Sequence, residues 1–428
     1  MINKPKLVEV ENAFQPAREI TDAERFAGRK DAVERAFYAL LSAGANIAIV
    51  GNRGIGKTSL ARQVLSFGAG DGSLLDRLAI EHDHSFDFLP IYFACGHGVE
   101  STEDLLTKLL TSAGCLSDWI YDIPKAKKIA NTYSPKFGVN VFGVSAELGG
   151  QKVEEATAEP VVAGHDVDIA FTNITNVIAE EGIAKDGILI VVDEFDQIRD
   201  PTGFAAFLKA LATNAPKVRF CLVGVAKDIQ MLMKEHASAD RLFAGAIIAL
   251  PSMDPGELKE IVSIAEREIG GYITFTEPAK ERLAYLAQGH PYMVHLVGKY
   301  ALRAAFQGGR NVIEVGDIDS TLQAIAERQA DPVLEGRYRT AVASSAQRET
   351  VLRALAATQD NHGEMWTTNT YKLAVDDGVD NPSQYVGQLV TDQYGAEIEN
   401  LRERYYRFKD SLFAAYVRAR PRMYPMGG

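Results

Sequence analysis

The stretch Gly51-Asn52-Arg53-Gly54-Ile55-Gly56-Lys57-Thr58 decides how this chain is read. It fits G-x-x-x-x-G-K-[ST] in full, between an apolar run, Asn46 to Val50, that reads as a strand and a segment, Thr58 to Phe67, that reads as a helix. Glycines at 51, 54 and 56 let the backbone turn its N–H groups inward, and the helix that follows adds its positive dipole end to the same anion hole. Such a loop selects phosphates. Lys57 is expected at the β- and γ-phosphates of a nucleotide, with the Thr58 hydroxyl on Mg²⁺, a cation that takes oxygen ligands. Asn52, Arg53, Gly54, Ile55, Gly56 and Ser59 complete the expected cradle for ATP or ADP.

The rhythm on either side is βαβα. A helix is expected over 29 to 44, strands over 88 to 93, 187 to 193, 218 to 224 and 246 to 250, and helices over 102 to 112, 167 to 181 and 202 to 213. Five apolar strands with intervening helices predict an α/β fold, a three-layer parallel sheet. The strand Ile188-Leu189-Ile190-Val191-Val192 runs into Asp193 and Glu194. A carboxylate pair there would lie beside the phosphate loop on one sheet edge. Asp193 is then expected to hold Mg²⁺ and Glu194 to polarise an attacking water; the alternative is a Glu194 that caps a helix or faces solvent. Asp196 and Arg199 read as a salt-bridged surface turn.

Residues 121 to 165 break the rhythm and read as an insertion, with a hairpin suggested by Phe137, Val139, Val141 and Val144. From Asp254 to Gln329 the pattern is purely helical, with junctions at Gly289 and Pro291 and at Gly308 and Gly309. After Leu334, helical stretches and the alternating segment RERYYRFKD form a winged-helix pattern. The expected divisions are therefore a core over 1–252, a helical lid over 253–333 and a winged-helix domain over 334–428.

With 428 residues, two or three domains are expected. A net charge of -12 excludes a protein that coats nucleic acid indiscriminately, so any DNA contact must come from a local patch. The N-terminus lacks a signal-peptide core and the apolar runs are strand-sized, which predicts a cytoplasmic protein with no membrane contact. Cys95, Cys115 and Cys221 are scattered, as buried thiols in a reducing compartment are. Glu81-His82-Asp83-His84 imitates a metal site but implies no distant third ligand. No second phosphate loop and no G-x-S-x-G elbow is visible, so a separate effector enzyme is not expected.

In combination, Phe26-Ala27-Gly28-Arg29, the phosphate loop, the Asp193-Glu194 strand, the Gly289-His290-Pro291 turn and the C-terminal pattern resemble AAA+ ATPases and their STAND relatives. The similarity is to the branch of the origin-recognition initiator ATPases and spans nearly the whole chain. It implies slow, oligomer-dependent ATP hydrolysis. It also implies that Phe26, Ala27 and Gly28 line the adenine pocket, although Phe26 reads equally well as core packing, and that His290 and Pro291 touch the nucleotide. Arg241 stands where the family places an arginine finger for a neighbouring subunit; the alternative is a surface pair with Asp240. Two departures weigh against an initiator: Phe220 to Ala226 carries no polar sensor, and Tyr292 replaces the usual lid arginine.

The C-terminal residues Arg402, Arg404, Tyr405, Tyr406, Arg407, Lys409, Arg418, Arg420 and Arg422 mix basic and aromatic character, as nucleic-acid surfaces do, but Asp376, Asp377, Asp380, Asp392, Glu397 and Glu399 share the region. Three readings follow. One is a homo-oligomeric ATPase that sets a winged helix on double-stranded DNA. Another is a STAND-like signalling or defence switch acting on an unidentified protein partner. The third is a nucleotide-gated scaffold that barely hydrolyses.

Overall fold

A computed structural model gives the structure of the protein and describes residues 4–42, 44–96, 98–133, 165–225, 243, 246–327, 331–360 and 363–424. The hairpin expected around Phe137 to Val144 and the candidate Arg241 lie outside the described residues.

In the first half, the helices are α1 (Leu7–Ala13), α2 (Lys30–Leu41), α3 (Lys57–Gly68), α4 (Ser73–Arg77), α5 (Thr102–Thr111), α6 (Leu116–Asp122), α7 (Pro124–Tyr133), α8 (His165–Glu180) and α9 (Phe204–Asn214). The strands are β1 (Ile47–Val50), β2 (Phe88–Ala94), β3 (Gly187–Asp193), β4 (Val218–Gly224) and β5 (Ile247–Ala249). They form one sheet in the order β2-β3-β4-β1-β5, every pair parallel. Side chains alternate across it: Ile188, Ile190, Val192, Phe220 and Leu222 pack under α5, α8 and α9, and Leu189, Val191, Cys221, Val223 and Ile248 pack under α2 and α3. All seven residues of β3 are buried, as a strand covered on both faces requires. The expected three-layer α/β core is therefore present.

One glycine sets how closely α3 approaches the sheet. A Cβ at Gly68 would stand 2.8 Å from Leu189 Cδ2, so a larger residue would push the helix off β3. The Lys-rich start of the expected insertion is regular structure: α7 buries Ala126 and Ala130, four residues apart, and packs on α8.

Beyond the sheet come α10 (Pro255–Glu268), α11 (Glu277–Ala287), α12 (Pro291–Gln307) and α13 (Val315–Glu327). Asp254 and Glu257 form a reciprocal capping box at the start of α10. The region is not purely helical: β6 (Thr274–Phe275) and β7 (Val312–Ile313) pair in parallel, an element too short to leave a periodicity in sequence. Helix α1 docks here as well. Phe14 meets Phe275 and His295 edge-on, and Gly298 makes the room, since a Cβ there would lie 2.6 Å from the Phe14 ring.

The C-terminal region holds α14 (Pro332–Val342), α15 (Ala346–Ala357), α16 (Thr367–Asp376), α17 (Pro382–Leu389) and α18 (Ser411–Ala419). Its strands β8 (Glu364–Trp366), β9 (Ile398–Arg402) and β10 (Tyr405–Phe408) form an antiparallel sheet in the order β8-β10-β9. Phe408 points inward while Arg407 and Lys409 face solvent. At its centre Glu335, 1% exposed, accepts from Arg420 Nε at 2.8 Å and from the Tyr416 hydroxyl at 2.8 Å. Residues of this region and of α10 to α13 share one buried cluster.

Candidate functional site

The phosphate-loop motif folds as a turn that only glycine makes without strain. Gly54 and Gly56 have φ of 72° and 98°, and α3 starts directly after them at Lys57. The Lys57 ammonium donates to the carbonyls of Gly51 and Asn52, each at 2.9 Å. Burial lowers its pKa, while Asp196 and Asp193 act in the opposite direction.

Asp193 ends β3, 3% exposed, and both carboxylate oxygens are engaged: Tyr92 donates to Oδ2 and the Glu194 N–H to Oδ1, each at 2.8 Å. Glu194 is exposed and left-handed, with φ 54° and ψ 40°. A non-glycine residue held there stores roughly 1–3 kcal/mol, the kind of strain that gathers at functional sites. Asp196 is not the surface turn expected of it. Arg199 pairs with Glu100 instead, at 3.0 Å, and Asp196 turns to the site, where its Oδ1 lies 3.2 Å from the position a Cβ on Gly224 would take. The end of β4 thus lacks a polar side chain of its own and leaves space for a carboxylate from the neighbouring turn.

These groups surround a cavity of about 700 Å³, well inside the roughly 300–1,000 Å³ of small-molecule sites. Of the candidates, Arg53, Gly54, Ile55, Gly56, Lys57, Thr58, Ser59, Asp193, Glu194, Phe26, Ala27 and Pro291 line it. Gly28 and Asn52 do not. The Gly28 N–H donates to Glu260 on α10 at 2.9 Å, and a Cβ at Gly28 would meet Glu257 at 2.5 Å, so this glycine serves close packing; Asn52 turns outward and its carbonyl serves Lys57. His290 is also off the wall, 2% exposed, its Nδ1 buried without a partner among the described residues and its pKa lowered by burial to about 4.

Sequence reading missed the wall made by Gln15 to Ile20. Its backbone is tied down by side chains of α3 and α12: Ile20 N–H donates to Ser59 Oγ at 3.0 Å, Gln63 donates to Thr21 O at 2.9 Å, and Gln15 N–H donates to His295 Nδ1 at 3.2 Å. An irregular segment has no periodicity to reveal it. The one signal was Gln63, a polar residue on the apolar face of a helix, 1% exposed. Arg29, quoted from sequence within the Phe26 to Arg29 stretch but given no role, is buried and donates to Pro251 O at 2.6 Å and Ile55 O at 3.0 Å, joining the loop to the approach to α10.

For a metal, the donors on the wall are the Thr58 hydroxyl and carboxylates, oxygen chemistry that fits Mg²⁺. Cys95 also lines the cavity, but burial pushes its thiol up to about 12, so it remains protonated. Among the described residues no group of three His, Cys, Asp or Glu is placed to hold a metal ion by itself. Mg²⁺ sites that share phosphate ligands need no such cage.

The model of the family described as Novel STAND NTPase 1 matches residues 13–367. The chain belongs to this family. No curated protein matches the sequence. Among solved structures it is similar to the Walker-type ATPase PABY2304 of Pyrococcus abyssi, with 18% identity, a TM-score of 0.49, and 94% of this chain and 99% of that one covered. It is also similar to the Aeropyrum pernix ORC1 protein in complex with DNA, with 14% identity, a TM-score of 0.45, and 92% of each chain covered.

In this STAND NTPase the C-terminal region reaches the loop directly. Leu412 Cδ2 lies 3.1 Å from where a Cβ on Gly54 would stand, and Tyr292, on the cavity wall, donates to Asp331 just before α14. Arg418 donates to Gln288 at the end of α11. The basic residues singled out from sequence are largely engaged within the chain: Arg402 with Glu364, Arg407 with Glu399 and Arg422 with Asp377, each at 2.6 Å, and Arg420 with Glu335. The exposed residues of α17, Ser383, Gln384 and Gly387, are uncharged. Among the described residues no helix is long and apolar enough to cross a membrane.

Proposed function

We propose that this chain is an ATP-binding and ATP-hydrolysing switch that signals to a protein partner through its C-terminal region. The contact of Leu412 with Gly54 carries the reading, because a change of ligand in the loop is felt at once by α18. Family membership, the phosphate-loop motif and the cavity support the nucleotide; the engaged arginines support the choice of partner.

In this reading Lys57 and the loop N–H groups bind the phosphates, Thr58 and Asp193 hold Mg²⁺, and Phe26, Ala27 and Pro291 contact the base. The bound metal neutralises charge on the phosphate oxygens. Glu194, exposed beside the phosphate end, orients and deprotonates the attacking water. Arg241 of a neighbouring copy completes the site in a homo-oligomer, so turnover is slow in the monomer. Release of α18 from the loop in the ATP state frees the C-terminal region for its partner.

The test is ATP turnover alongside nucleotide binding. Glu194→Gln is expected to bind ATP as the native protein does and to lose about 10²- to 10⁴-fold in turnover, the range for a general base. Equal turnover would remove Glu194 from the chemistry. Mixing Arg241→Ala with Lys57→Ala chains is expected to restore part of the activity that each lacks alone.

A second reading, duplex DNA as the partner, is favoured by the three-stranded C-terminal sheet, whose central strand β10 is flanked by exposed Arg404 at its start and exposed Lys409 at its end. A salt titration of duplex binding in both nucleotide states separates the two, since phosphate contacts make affinity fall steeply with salt.

A further inference from the structure

Register alone brings one tyrosine to the acidic strand end. Ala94 on β2 is the direct neighbour of Asp193 on β3, so Tyr92, two residues earlier, stands diagonally across on the same face, within reach of a long side chain. Its hydroxyl donates to Asp193 Oδ2 at 2.8 Å. The other oxygen is held by the Glu194 N–H, so the carboxylate is fixed at both ends.

The ring is fixed in turn from α3. Arg62 follows Thr58 by one helical turn, on the same face, and its guanidinium carbon lies over the Tyr92 ring, 3.3 Å from the centroid. Arg62 Nη2 pairs with Glu19 at 3.1 Å, and Glu19 belongs to the N-terminal wall of the cavity. Nε of Arg62 is buried without a partner among the described residues, and the Tyr92 ring and the Glu19 pair hold this guanidinium. The chain of contacts runs from the wall at Glu19 through Arg62 and Tyr92 to Asp193.

We propose that Tyr92 is a positioning residue that aims the Asp193 carboxylate at the Mg²⁺ position, and that the Arg62–Glu19 pair makes this aim depend on the N-terminal wall. The proposal rests on the reading that Thr58 and Asp193 hold the metal. Outer partners of metal ligands act by fixing the ligand's orientation, and their loss costs about 10–100-fold in metal affinity. Glu19, Arg62 and Tyr92 lie on three separate segments, so a ligand that shifts the wall changes how firmly the carboxylate is held.

The experiment uses the full chain and a fluorescent ATP analogue, bound first in EDTA and then across a Mg²⁺ titration. Tyr92→Phe removes one hydroxyl and keeps the ring under Arg62, so the fold is retained. It is expected to leave affinity in EDTA within about twofold and to raise the Mg²⁺ midpoint about tenfold or more. Arg62→Met, which keeps the apolar stem and loses the ion pair, is expected to raise the midpoint by about threefold. Asp193→Asn abolishes the Mg²⁺ response and serves as the reference. A native midpoint in Tyr92→Phe, with the response lost in Asp193→Asn, overturns the role of Tyr92; a native midpoint in Arg62→Met overturns the link to the wall. A native protein without any Mg²⁺ response, or an Asp193→Asn protein that keeps it, overturns instead the metal reading beneath both.

Discussion

The two regions of this molecule that are rich in charge use it in opposite ways. Around the phosphate loop, Arg53 makes no ion pair among the described residues and Glu194 is exposed in a strained backbone, while the Lys57 amine rests only on carbonyl oxygens. In the C-terminal region Arg402, Arg407, Arg420 and Arg422 each face a carboxylate, and Arg337 faces two, Glu397 at 2.5 Å and Asp410 at 2.7 Å. A charge that binds a ligand must be held in place without being neutralised. A charge that shapes a fold is neutralised on the spot. Under the proposed function, the same residue type serves recognition in one region and architecture in the other.

Substitutions separate these roles, and the largest effect on binding belongs to the loop. Lys57→Ala is expected to weaken ATP binding by about 10- to 100-fold while the denaturation midpoint stays near native, since a charge-assisted phosphate contact contributes about 1.5–3 kcal/mol and the amine meets only two loop carbonyls among the described residues. Measured by fluorescence titration and urea unfolding, the reverse pattern would make Lys57 architectural. Glu335→Ala is expected to do the opposite, losing about 3–5 kcal/mol of stability because Arg420 is left buried and uncompensated; a small loss in urea unfolding would break the contrast.

Acid probes the two buried histidines at and near the start of α12. Burial holds His290 and His295 at about 4, well below 6.5, so both are neutral in the fold. A depressed base leaves the folded state with fewer protons than the unfolded one. Stability is then full above pH 6.5 and falls as pH drops from 6.5 to 4, by up to roughly 3 kcal/mol per histidine. His295→Gln is expected to flatten that slope in melting curves taken across the window; an unchanged slope would assign it to other groups. The smallest effect is expected at the two ends of β10. Arg404→Ala and Lys409→Ala are each expected to change the salt slope of duplex binding by less than about one unit, the value for one lost phosphate contact. A drop of a full unit from each would move these two residues into the recognition class.

Legibility in the sequence follows the same division. The phosphate loop was readable because its glycines answer to local backbone geometry, and β3 because a doubly covered strand must carry a continuous apolar run, here Ile188 to Val192. Asp196 was misread because its orientation depends on the space beside Gly224, on another strand. The arginines of the C-terminal region suggested a nucleic-acid surface for a related reason: composition records how many charges there are and not which ones meet.

By itself, then, the sequence determined the element order, the parallel sheet, the loop for phosphates and the acidic strand end, all properties of local periodicity and backbone chemistry. The tertiary structure alone decided the wall from Gln15 to Ile20, the hold of Tyr92 on Asp193 and the seat of Leu412 against Gly54. Each of these joins residues dozens to hundreds of positions apart, or a segment with no period, and such meetings are set by packing.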